Sequence, residues 1–112
     1  TLRSPGMLEK HYSPKAKLVV RGWRDEADLR LQLSAFNFQL SQIQIIAHTK
    51  IPVGFGAAHV NVIPHDAEAF ARALYGELHR CDAEGAKLIV VEAPPEAPEW
   101  SGIADRLRRA AA

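Results

Sequence analysis

At 112 residues, 47% apolar and 24% charged, the chain has the size and composition of one globular domain and is too short for two with separate cores. A formal net charge of +1, with acidic and basic residues interleaved, argues against strong electrostatic binding of bulk nucleic acid. One cysteine excludes an internal disulfide, and no apolar run approaches the roughly 20 residues of a membrane span, so a reducing cytoplasm and no membrane partner are expected.

The chain opens on an arm, Ser4-Pro5-Gly6-Met7 and then His11-Tyr12-Ser13-Pro14-Lys15. Pro5-Gly6 and Ser13-Pro14 favour extended or turn backbone, because proline fixes its own φ and restricts the residue before it. Such a segment has few ways to satisfy its own backbone and is expected to lie across another surface. Met7 and Leu8 would anchor it, and Lys10, His11, Tyr12 and Lys15 are donors suited to anions such as nucleotide phosphates.

Lys17–Trp23 is valine-rich and reads as the first strand. From Asp25 to Gln42, Leu29, Leu33, Phe36 and Leu40 share one helical face, which predicts an amphipathic helix capped by Asp25. Leu31 and Phe38 lie off that stripe, so the helix is expected to touch neighbours on two sides. Ile43–His48 is a second, β-branched strand. Thr49–Gly56 is a loop by its proline and glycines, and His59–Pro64 alternates as a third strand. Asp66 caps a second helix with Phe70, Leu74, Leu78 and Cys81 inward, closed by Gly85. Lys87–Glu92 is the most continuous apolar run, which predicts a central parallel strand covered on both faces. After the connector Ala93–Pro98, a last helix from Glu99 to Ala111 turns Trp100, Ile103, Ala104 and Leu107 inward. The alternation predicts an α/β fold: a small Rossmann-like open sheet, mostly parallel, flanked by about three helices.

The arm resembles the interdomain linker of two-domain threonylcarbamoyl-AMP synthases, in which a YrdC-type catalytic domain precedes the linker and a small α/β domain follows it. Asp66–Tyr75 with Leu78 and Asp82, Ile89–Pro95 and Asp105–Ala111 are similar to that C-terminal domain. The similarity is thin from Trp23 to Phe55, and Trp100-Ser101-Gly102 stands where the family often has Gly-Leu-Gly. The resemblance implies that residues 1–16 are the linker, a lid segment, and residues 17–112 the C-terminal α/β domain. It also implies that the N-terminal catalytic domain is a missing partner. Nucleotide contacts would then fall on Ser4, Gly6, Met7, His11, Tyr12 and Lys15. A lid of this kind excludes water and protects a labile adenylate.

The family joins threonine, bicarbonate and ATP, with Mg2+, into threonylcarbamoyl-AMP and pyrophosphate, and the product serves tRNA modification. ATP and Mg2+ thus belong to the parent enzyme. This chain is expected to carry no catalytic residue, metal or cofactor of its own, to be silent alone, and to meet tRNA only indirectly. Self-association into a homo-oligomer stays open. The alternative is a stand-alone α/β nucleotide-binding or protein-interaction module with no catalysis.

Elsewhere the residues favour structural roles. Gly54-Phe55-Gly56 lacks the helix that stands behind a phosphate loop and reads as a tight turn. His48 and His59 are candidates to meet at strand ends, with ordinary hydrogen bonds the simpler role. His79 is expected on the solvated side of its helix, and Cys81 in the core. Arg106, Arg108 and Arg109 form a basic patch: either cations placed at a helix C-terminus or a docking face for tRNA or the catalytic domain. Asp105 and Arg109 are spaced as an i,i+4 pair.

Overall fold

The computed structural model describes residues 14–111. They form strands β1 (Lys17–Arg21), β2 (Ile43–Ala47), β3 (His59–Val62) and β4 (Leu88–Glu92), with helices α1 (Glu26–Leu33), α2 (Ala67–Ala83) and α3 (Ser101–Ala111). The strands make one open sheet in the order β1-β4-β2-β3, and every pairing is parallel. This is the small α/β architecture the alternation predicts.

All residues of β4 and β2 are buried, as continuous β-branched runs require in the middle of a parallel sheet. Successive side chains point to opposite faces, so the sheet divides the core in two. Leu18, Ile46, Ile89 and Val91 meet Phe70, Leu74 and Leu78 of α2 and Ile103 and Leu107 of α3. Val19, Ile45, Leu88 and Val90 meet Leu29 and Leu33 of α1, with Trp23 and Phe55. Each fully buried side chain of this size contributes about 1.5–3 kcal/mol over an exposed one.

Both helix caps that the sequence predicts are made. Asp25 accepts from Asp28 N at 2.8 Å and Asp66 from Ala69 N at 3.0 Å. At the end of α2, Gly85 takes φ +83°, and Gly85 N and Ala86 N donate to Asp82 O and Cys81 O at 3.0 and 3.1 Å. These two bonds satisfy carbonyls that the helix leaves open.

Three sequence expectations are corrected. The helix expected to reach Gln42 ends at Leu33; a turn follows, and Leu40–Gln42 is a separate 3-10 turn. The chain leaves the helix at Ser34, whose hydroxyl bonds back to Leu31 O at 2.6 Å, a local bond that competes with continued helix. Phe36, Phe38 and Leu40 still pack on the same cluster from beyond the end of the α-helix. Leu31, expected to touch a second neighbour, is 72% exposed. Finally, β2 and β3 run parallel, so His48 leaves the sheet at one edge while His59 enters at the other, opposite Gln44. They do not meet.

The crossovers explain where a crevice opens. From β1 to β2 the chain passes β4 over the α1 face; from β3 to β4 it returns over the α2 face. The two therefore share one hand, as the crossover rule demands. After β4 the chain turns back so that α3 packs on β1, whereas after β2 it moves on to β3. The connections part between β4 and β2, where open parallel sheets form their C-terminal crevice.

Candidate functional site

Glu92 ends β4 at this crevice and is 6% exposed. Its carboxylate accepts from His48 N at 2.8 Å, from Thr49 N at 2.9 Å, from Lys50 N at 3.2 Å and from the Thr49 hydroxyl. Burial works to raise its pKa, but the donors from His48, Thr49 and Lys50 outweigh burial and hold the carboxyl below the usual carboxylate range. The ionised group fastens the chain leaving β2 to the end of β4.

His48 extends this clamp. Its Nε2 lies 3.3 Å from the Glu92 carbonyl, which can only accept, so Nε2 carries the hydrogen. In a neutral ring Nδ1 then accepts from Nδ1–H of His65, 2.8 Å away. The two rings lie within 13° of parallel with centroids 5.0 Å apart, a geometry compatible with an in-plane bond between imidazoles. Trp100 covers both, at 5.7 Å from His48 and 5.4 Å from His65, and Phe70 meets His48 edge-on at 5.0 Å. His48 is buried and His65 exposed, so the two rings form a hydrogen-bonded file from the Glu92 backbone carbonyl to the surface. Trp100, 5% exposed, walls it in.

A second polar network crosses from the sheet to α2. Asn61 Nδ2 donates to Gln44 Oε1 at 2.9 Å, Gln44 Nε2 to Glu84 at 2.8 Å, and Arg80 donates to Glu77, Glu84 and Asn61. Cys81 lies inside it, its thiol 3.5 Å from Gln44 Oε1, and burial pushes that thiol up to about 11. It is therefore a protonated core residue at neutral pH. Among the described residues no group of three or more His, Cys, Asp or Glu is placed to hold a metal ion. No helix there is long and apolar enough to cross a membrane.

Of the residues singled out in the arm, Ser4, Gly6, Met7, His11 and Tyr12 lie outside the described residues. Lys15 is described: its side chain is exposed, but its backbone is not free. The Asp82 carboxylate, in the last turn of α2, accepts from Lys15 N at 2.9 Å and Ala16 N at 3.1 Å. Pro14 and Ala16 are buried on either side. The root of the arm is thus pinned, and Asp82, quoted above only as part of a similar helix, does the pinning.

The basic patch is not one surface of free cations. Arg108 and Arg109 both pair with Asp105, the latter at 3.1 Å as the i,i+4 spacing predicts. Arg106 is half-buried against the apolar groove between α2 and α3. His79 is exposed but edge-on to Tyr75 at 4.4 Å. In the loop, Gly54 and Gly56 take φ +72° and +61°, which lets Phe55 turn inward to 3% exposure beneath the Arg30 guanidinium. That is a tight turn with a packing role.

Sequence reasoning missed Glu92, Thr49, His65 and Asp82 as partners. Glu92 carried a signal, since a charged residue closing an apolar run of buried type must find donors. Gln44 and Asn61, each set between β-branched neighbours, carried the same one.

The family model described as "Threonylcarbamoyl-AMP synthase, C-terminal domain" matches residues 1–112, including the stretch from Trp23 to Phe55. A curated relative, threonylcarbamoyl-AMP synthase from Pyrococcus abyssi (strain GE5 / Orsay), is 27% identical over 113 residues, covering 98% of this chain and 32% of the relative. The chain thus spans about a third of the length of the curated relative it matches. No solved structure matches at the same stringency.

Proposed function

Because the chain belongs to the threonylcarbamoyl-AMP synthase C-terminal domain family, we propose that it is the mount of that enzyme's lid. In this reading residues 1–16 are the arm, and Ser4, Gly6, Met7, His11, Tyr12 and Lys15 contact nucleotide in a catalytic domain that precedes them. ATP and Mg2+ bind in that domain, where threonine and bicarbonate are joined to AMP. The product goes on to tRNA modification, so this domain meets tRNA only indirectly. The domain contributes position and timing rather than chemistry.

One observation carries the proposal: Asp82 holds Lys15 N and Ala16 N from the end of a 17-residue helix. A lid closes on the right atoms only if its root is fixed, and a displacement of about 1 Å can cost about 100-fold in rate. The decisive enzyme is the two-domain protein bearing Asp82→Ala, followed by ATP-dependent pyrophosphate release. We expect activity at least tenfold below wild type with little change in far-UV circular dichroism, and partial recovery in Asp82→Asn, which keeps one acceptor. Wild-type rates in folded Asp82→Ala enzyme would remove the mount from the mechanism.

A further inference from the structure

Of the two edges of the sheet, β1 and β3, the β1 edge is the one flanked by an open groove against a helix. Among the described residues β1 ends the sheet and pairs with β4 on one side only. Lys17 N donates to Lys87 O, and Arg21 O accepts from Ala93 N, both at 3.0 Å, so the odd-numbered residues of β1 bond towards β4. Parallel pairing alternates strictly, and the N–H and C=O groups of Leu18 and Val20 therefore point outward. Alongside them runs an open groove of about 580 Å³ between β1 and α3, floored by Val20, Ala104 and Leu107. An edge with free donors, free acceptors and an apolar floor is a template for an added strand.

The side chains say which strand. Lys17 and Arg21 are exposed on the α1 face of the edge; on the other, Arg108 lines the groove but is already paired with Asp105. A second copy pairing β1 to β1 antiparallel about Val19 would set Lys17 opposite Arg21 twice. Like charges directly opposite are destabilising, so the edge is guarded against its own kind and complementary to an acidic segment. We propose that the β1 edge binds an extended acidic peptide segment as an antiparallel fifth strand, so that the residues opposite Leu18 and Val20 exchange backbone bonds with them. Its carboxylates alternate onto Lys17 and Arg21, and its apolar side chains fall into the groove beside Val20. The proposal goes beyond the lid mount and does not depend on it.

The probe is the capped peptide Gly-Glu-Val-Thr-Val-Glu-Gly, with its counterpart carrying Lys for both Glu, titrated into the full chain at low salt. The acidic peptide is expected to bind at least tenfold tighter and to shift the amide resonances of Leu18 and Val20 above all others. Methylating the peptide's valine nitrogens abolishes binding if the edge is the site. The double variant Lys17→Glu/Arg21→Glu, whose changed side chains are exposed, is expected to reverse the preference in favour of the lysine peptide. Equal binding of the two peptides, unmoved Leu18 and Val20 amides, an unreversed preference in the folded variant, or a β1-mediated dimer of the free chain each overturn the proposal.

Discussion

Glu92 shows how much one side chain can decide. It closes an apolar strand, sits almost out of water, and stays ionised because His48, Thr49 and Lys50 all donate to it. Glu92→Gln keeps the shape but replaces one acceptor oxygen with a donor, which leaves amides facing a group that cannot receive them. The expected cost is about 1–3 kcal/mol at neutral pH, read from urea melts. The folded-state pKa lies below the ordinary 4.5, so the unfolded chain takes up this proton first as pH falls. The stabilisation is complete above about 4.5 and is lost on the way down through the lower folded value. The gap between wild type and Glu92→Gln should therefore narrow as the medium is acidified below that point. A gap that is constant or widening there would mean that the carboxylate is not the clamp.

At the scale of elements, α2 and α1 make an instructive pair. Every feature of α2 was legible: the Asp66 cap, the inward set at Phe70, Leu74, Leu78 and Cys81, and the stop at Gly85. Gly85 needs its left-handed φ, and a β-carbon built there meets nothing within 4 Å. The penalty of Gly85→Ala is thus conformational alone, about 1 kcal/mol in thermal or urea unfolding. A loss of several kcal/mol would point to a clash that the structure does not contain. In α1 the same periodicity ran past the real end at Leu33. Ser34 turns its hydroxyl back to Leu31 O at 2.6 Å, and the aromatic residues beyond pack from a turn. An apolar spacing records which residues face the core but not that the backbone between them stays helical.

For the molecule as a whole, the order β1-β4-β2-β3 puts the two fully buried strands inside and the two with exposed charged or polar residues at the edges. Amides of Ile89, Val90 and Ile45 should exchange with solvent only on global unfolding, and those of β3 sooner. Native-state hydrogen exchange measures this directly. Slower exchange in β1 or β3 than in β4 would contradict the strand order.

The sequence by itself determined the strands and most of the helices, both aspartate caps, the inward residues of α2, the burial of β4 and the family likeness of the arm. These rest on periodicity, caps and short motifs, which act within a few residues of one another. Tertiary structure alone decided that Glu92 meets His48 across 44 positions, that His65 rather than His59 faces His48, and that Asp82 reaches Lys15 across 67. Those contacts follow from strand order, the parallel sense of β2 and β3 and the hand of the crossovers. Local spacing is the same for every order in which the strands might be laid down, so only the packed sheet could choose among them.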